Sequence, residues 1–389
     1  MKREGTDIVE AKRLSLKEAV RHNIRQYTMI GALAAIWIIF AVLTNQLFID
    51  PRNLSNLFLQ TVIIAIVASG MTLIMVTGNI DLSVGSVAGF AGAVAAVLQV
   101  RYGWNALFAV TAALAAGFTV GAWHGFWVAH RKVPAFIVTL ASMMAFRGAI
   151  LGVTGGATVS PLSENLKMIG TNYLAPFPSA AFAILCMAAF IWISIGKRKR
   201  RVKYGFAVPT PTVEGLKIVA LSLALGGFFL IMIRNEGIPY AVLLLFAVVL
   251  IFSFISENTV FGRRLYAIGG NADAARLSGI NIEKNLMRLY MLFGVLVAAA
   301  GIVMTARLNA ATTSAGINME LDAIAACVIG GTSLMGGQGT IVGAMIGALI
   351  MSSLDNGMSL MNLDITYQYV IKGLILLLAV WVDIATRKK

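Results

Sequence analysis

Charge is what this 389-residue sequence has least of. Asp, Glu, Lys and Arg together make up 12% of it, about half the share of an ordinary soluble domain. With 59% hydrophobic residues, the chain cannot cover itself with polar surface in water. Cysteine is nearly absent, and Cys186 and Cys327 both lie in apolar runs, which excludes a disulfide scaffold. The three histidines, His22, His124 and His130, have no metal-ligand spacing. No nucleophile elbow is present, and the Gly196-Lys197 pair is followed by Arg198 rather than Ser or Thr, so no phosphate-binding loop forms there. Neither a catalytic centre, a metal nor a cofactor is expected.

What the sequence does have is long apolar runs. Twelve of them qualify as span candidates: 27–46, 60–78, 84–100, 105–129, 135–153, 179–196, 216–233, 239–257, 287–306, 319–337, 338–355 and 366–383. The predicted fold class is therefore an all-α polytopic membrane protein with about 12 transmembrane helices. Basic residues outnumber acidic ones 31 to 17, yet they gather between the runs rather than along one face. That excludes nucleic acid as a partner and reads as the positive-inside pattern. The segment 1–26, the run Lys197-Arg198-Lys199-Arg200-Arg201 and the closing Arg387-Lys388-Lys389 are accordingly assigned to the cytoplasm. Both termini are then cytoplasmic tails, 1–26 and 384–389, around a membrane domain 27–383. The apolar run at 27–46 is span-length with no cleavage site after it, unlike a removable signal peptide. Leu16, Val20 and Ile24 recur every four residues in the basic tail, which fits either an interfacial helix or a merely solvated segment.

The 38 glycines recur at four-residue spacing in Gly85/Gly89, Gly117/Gly121/Gly125 and Gly339/Gly343/Gly347, which predicts helix faces smooth enough for close backbone approach. An inverted repeat is also legible. Asn79-Ile80-Asp81-Leu82-Ser83 precedes one span as Glu320-Leu321-Asp322-Ala323-Ile324 opens another. Likewise His124-Gly125 followed by Val133–Ile137 parallels Asn356-Gly357 followed by Ile365–Tyr369. Asp81, Glu320, Asp322 and Asp355 sit at or within span ends, where a carboxylate needs a reason. Two readings coexist, a polar lining of a translocation path and, for Asp81 and Asp322, helix N-capping. Arg147 and Lys372 lie mid-span and either pair inside the bundle or snorkel. Asn79, Ser83 and Asn356 complete the candidate polar set.

The loop 258–286 carries its own pattern. Asn271 suits an N-cap, Ala272-Asp273-Ala274-Ala275-Arg276-Leu277 favours helix, and Gly279 suits a left-handed stop. A helix of about two turns is predicted, ~10 Å long, either a docking knob for a partner or a plain connector. Four stretches now carry a resemblance: Phe261–Gly279, Gly78–Ser86, Lys132–Gly148, and Asp322–Gly339 with Asp355–Gly357. Taken in their order along the chain, they resemble the inner-membrane permeases of bacterial monosaccharide ABC importers, those for ribose, galactose and xylose. The extra hairpin at about 179–233, beyond a ten-helix core, is most similar to the D-xylose branch, as are Asp322–Gly331 and Leu354–Ser359. The resemblance implies a homodimer in the inner membrane, docked on a cytoplasmic sugar ABC ATPase and supplied by a periplasmic sugar-binding protein. It also implies that Gly269, Gly270, Asn271, Asp273, Ala274, Ala275, Arg276, Leu277 and Gly279 form the ATPase-coupling helix. The rival reading is an ion-coupled secondary sugar transporter using Asp81, Asp322 or Asp355 as its ion site.

Overall fold

A computed structural model describes residues 13–14, 24–206 and 208–387. Each of the twelve apolar segments meets a helix, but three further helices lie between them. In chain order these are α1 (Ile24–Leu43), α2 (Pro51–Val76), α3 (Val84–Val100), α4 (Ala106–Gly125), α5 (Ala135–Thr154), α6 (Glu164–Thr171), α7 (Pro176–Lys203), α8 (Pro211–Asn235), α9 (Tyr240–Asn258), α10 (Val260–Gly270), α11 (Ala272–Leu277), α12 (Ile282–Leu308), α13 (Met319–Ile329), α14 (Ile341–Leu360) and α15 (Ile365–Arg387). Among the described residues, nine are long and apolar enough to cross a membrane, and two apolar stretches, Thr28–Leu43 and Val84–Val100, are shorter. The tail positions Leu16 and Val20 lie outside the described residues.

Three boundaries differ from expectation for identifiable reasons. Helix α2 starts at Pro51 rather than near residue 60, because Asp50 Oδ1 accepts from Arg52 N at 2.9 Å and Pro51 fills the first turn. The run at Lys197–Lys203 is the last two turns of α7, not a turn, and its cations sit at the helix end whose dipole favours them. The expected span 319–337 is not one. Helix α13 stops at Ile329 after 11 residues, ~16 Å and about half a bilayer core. Gly331, Gly336 and Gly337 then take left-handed φ values of 95°, 89° and 74°, turning the chain tightly before α14 begins.

The described residues of Tyr173–Ile238 and those up to Gly31 form one compact unit, and the remaining described residues form a second. In the first, α7 and α8 pack on each other. Arg198 Nη1 donates to Pro209 O at 3.1 Å and stands 3.8 Å from Glu214 Oε2, tying the end of α7 to the start of α8.

The second unit repeats one packing pattern twice. Helix α3 packs on α4 and α5, and α13 packs on α14 and α15. The long helix of each set lies in the other set: α12 packs on α3 and α4, and α2 packs on α13 and α14. The two long helices also touch, where Gly70 receives Phe293 and Leu296. Buried hydroxyls on α2 are satisfied within the helix. Thr61, Ser69 and Thr72 donate to carbonyls four residues back at 2.8, 2.7 and 2.8 Å, which lets polar residues occupy an apolar interior.

The predicted ridge Gly117/Gly121/Gly125 is a backbone contact between α4 and α12. A Cβ at Gly117 would lie 2.4 Å from Gly294 O, one at Gly121 2.2 Å from Tyr290 O, and one at Gly125 2.6 Å from Met287 Sδ. Gly343 and Gly347 face Gly330 and Ala326 of the α13 arm in the same way. Gly121→Leu should therefore cost at least the ~1–3 kcal/mol of ordinary overpacking and lower both the folded yield and the melting temperature in detergent. Gly148→Ala should match the parent in the same assay, since nothing lies within 4 Å of a Cβ there.

Candidate functional site

The polar residues singled out from the sequence fall into two groups, one at the break before α3 and one around α13. At the first, α2 ends at Val76 and Gly78 turns the chain with φ 78°. Asn79 Nδ2 donates to Thr77 Oγ1 at 2.9 Å. Asp81 Oδ1 accepts from Ser83 N and Ser83 Oγ at 2.8 and 2.6 Å, while its Oδ2 lies 3.5 Å from His124 Nδ1 on α4. Asp81 thus closes a turn just ahead of α3 rather than capping the helix itself. Asp81, Ser83, His124 and Tyr290 border a cavity of about 10 Å³, roughly the room one water needs. The Tyr290 hydroxyl and His124 Nε2 are buried and have no hydrogen-bond partner among the described residues.

Around α13 the geometry overturns one reading. Asp322 sits in the first turn of α13, but its carboxylate pairs with Lys372 of α15 at 2.7 Å instead of capping the helix. Lys372 Nζ also stands 3.1 Å from Asp355 Oδ1 of α14, so one ammonium joins three helices. Asn356, the next residue, exchanges two hydrogen bonds with Asn53 of α2, at 2.9 and 3.0 Å. Arg147 pairs with a carbonyl: its Nη1 donates to Ala315 O at 2.8 Å. Glu320 is buried, and its Oε2, which has no hydrogen-bond partner among the described residues, would lie 2.5 Å from a Cβ at Gly85.

The loop 258–286 contains two helices where one was expected. Thr259 Oγ1 accepts from Gly262 N at 3.0 Å and starts α10. Asn271 Oδ1 accepts from Ala274 N at 2.9 Å and starts α11, and Gly279 ends that turn with φ 82°, as the sequence predicts. Both helices are anchored. Ala275 is buried in a cluster with Ile268, Ala129, Ile282 and Leu286, which joins α11 to the end of α4 and the start of α12. On α10, a Cβ at Gly269 would lie 1.6 Å from Val76 O, and the Tyr266 hydroxyl donates to Gly339 O at 2.8 Å. Burial raises that hydroxyl above its ordinary pKa and keeps the proton it donates. The other face of α11 is open: Asn271, Asp273, Ala274, Arg276 and Gly279 are exposed, and Leu277 is 90% exposed.

Sequence reasoning missed His124, Tyr290 and Asn53. The only signal was the His124-Gly125 echo of Asn356-Gly357, which marks the corresponding helix in each half. Among the described residues, no group of three or more His, Cys, Asp or Glu could hold a metal.

A multi-pass helical bundle with one half-length helix and a buried polar pair at each of two chain breaks fits a membrane permease. The chain belongs to the family described as branched-chain amino acid transport system / permease component, which matches residues 53–380. It is 46% identical over 368 residues to the xylose transport system permease protein of Escherichia coli K12, covering 94% of this chain and 93% of that protein. The Haemophilus influenzae xylose transport system permease protein is 44% identical, over 94% of this chain and 98% of its own length. The Escherichia coli K12 ribose import permease protein is 38% identical, over 92% and 94%. No solved structure matches the chain. The resemblance to monosaccharide ABC permeases is borne out, and the protein is a multi-pass protein of the inner membrane.

Lys372→Met should leave Asp322 and Asp355 with no counter-charge. Removing one partner of a buried pair costs about 3–5 kcal/mol, so a marked drop in the thermal unfolding midpoint is expected. Adding Asp322→Asn and Asp355→Asn to that variant should restore most of it.

Proposed function

We propose that this chain is the membrane-spanning subunit of an ATP-driven importer that carries D-xylose or a related monosaccharide inward. The observation that carries the coupling is α11: a capped helix, rooted through Ala275 in the bundle, with Asp273 and Leu277 exposed on its outer face. The names of the xylose relatives support the sugar. In this reading, twelve of the helices lie in the membrane, with α13 among them as a half-length one; ten form an inverted-repeat core, and both termini are cytoplasmic. Two copies form one path, a cytoplasmic ATPase docks on 269–279, and a periplasmic binding protein delivers the sugar to the outer mouth.

The contacts of the loop suggest how a push on α11 would spread. Through the Ala275 cluster it reaches the ends of α4 and α12. Through Gly269 and Tyr266 it reaches Val76, where α2 breaks before Asp81, and Gly339, where the turns after α13 lead into α14. One displacement therefore acts on both breaks, beside the two polar groups. Asp81, Arg147, Asp322 and Asp355 brace these breaks through their pairings, while Asn79, Ser83 and Asn356 offer neutral polar groups suited to a sugar. The ion-coupled alternative needs a carboxylate free to bind the ion, and Asp81, Asp322 and Asp355 each already face a cationic side chain or histidine.

Ala274→Pro should break α11, at a cost of ~3 kcal/mol or more for a helix interior. Insertion should be normal, but copurification with the ATPase and xylose uptake should be lost. Asn172→Ala, outside the loop, should retain both. An Ala274→Pro variant that assembles and transports like the parent would reduce α11 to a connector. Uptake that survives ATP depletion yet collapses with a protonophore would favour ion coupling. Single cysteines at Lys199 and Asp273 should label from the cytoplasm only, and one at Lys167 from the periplasm only.

A further inference from the structure

Beside α11 lies a second surface that coupling does not use. Where α4 ends in a π-helical turn, Phe126–His130, and α12 begins, an open depression of about 570 Å³ is lined by His130, Asn281, Glu283, Lys284, Met287 and Arg288. Lys284 and Arg288 are exposed, four residues apart on one helix face. Like charges at that spacing repel, and both stand in the first two turns of α12, the end whose dipole opposes cations. Among the described residues lining the groove, the one carboxylate, Glu283, lies 3.6 Å from Arg276 and so is engaged elsewhere. Arg131 and Lys132, also exposed, follow His130 in the chain. A cluster that repels itself, and whose neighbouring carboxylate is already paired with Arg276, is suited to receive an anion from outside.

The aromatic side chains running away from the groove specify what kind of anion. His130 stacks on Phe126 at 6.2 Å, Phe126 meets Trp127 at 5.5 Å, and Trp127 meets Trp123 at 5.4 Å. Phe126 and Trp123 are 37% and 53% exposed, which on a spanning helix means facing lipid. The guanidinium of Arg131 lies 5.2 Å above the Phe126 ring. Cations at a helix end above a continuous aromatic track match the headgroup and upper acyl region of a phospholipid.

The geometry points to a site for one anionic phospholipid of the cytoplasmic leaflet, its phosphate held by His130, Lys284 and Arg288 and its acyl chain lying along Phe126, Trp127 and Trp123. The leaflet follows from the cytoplasmic placement of 258–286 proposed above. Binding itself can be tested without that placement, so the two can fail separately.

The test is native mass spectrometry of the full-length permease titrated with phosphatidylglycerol or phosphatidylcholine of equal chain length. One phosphatidylglycerol should be retained per chain in preference to phosphatidylcholine. Loss of a surface cation weakens anionic-lipid binding on the order of fivefold. Lys284→Gln and Arg288→Gln should each show about that drop, and the double variant should show roughly its square. Arg263→Gln with Arg264→Gln, also exposed in the loop, should bind like the parent. Glycerol phosphate, the headgroup without chains, should not displace the lipid at matched concentration. Equal retention of both lipids overturns the site, as does an unchanged double variant. An equal loss in the Arg263/Arg264 control reduces the effect to bulk charge, and displacement by glycerol phosphate makes it a soluble-anion site. If the double variant keeps its lipid but loses the ATPase, the groove is a protein contact. Each of these results overturns the proposal. Phe126→Ala, which leaves the charges intact, should still weaken retention; unchanged retention in that variant would overturn the aromatic part of the site.

Discussion

The approach of α12 to α3 and α4 at backbone distance is the constraint on which the other arrangements depend. Between apolar helices in lipid there is little hydrophobic gain from association, so close packing must supply it. Gly117 and Gly121 bring the carbonyls of Gly294 and Tyr290 within reach, and Gly92 and Gly301 do the same between α3 and α12. That closeness sets Tyr290 beside His124 and Asp81. It also brings Met287 against Gly125, just before the π-helical turn that closes α4. With bulkier residues on these faces, neither the polar group before α3 nor the seat of α11 would form.

The polar pairs are the second layer. Each half places a carboxylate at the start of its short arm, Asp81 before α3 and Asp322 in α13, and each finds its partner on another helix. The partners differ, a histidine in one half and a lysine shared with Asp355 in the other. The packing pattern therefore repeats more closely than the chemistry. A buried carboxylate without a partner is costly, so these pairs fix the register of helices that otherwise slide on small residues.

Much of this is legible in the sequence, where the signal is local or periodic. The Asn271 cap, the Gly279 stop and the Gly117/Gly121/Gly125 face each follow from a few neighbouring residues, and the structure has all three. The length of α13 is not legible, because hydropathy runs straight through Gly330 and Gly331 while the backbone turns there. Helix α10 is hidden by its mixed composition. The partner of Asp322 lies 50 residues away, and His124 was set aside for want of metal-ligand spacing. Pairing across a bundle leaves no spacing rule to read.

The shortness of α13 bears on how the protein enters the bilayer. A nascent segment is released into lipid when it is long and apolar enough to span, and 11 residues are too few for that. Helix α13 has to wait until α14 emerges behind it. The glycines of α14 that face Gly330 and Ala326 then zip the two into a hairpin that can insert as one piece. In that hairpin Glu320 and Asp322 are buried against protein, so the acidic start of α13 does not face hydrocarbon.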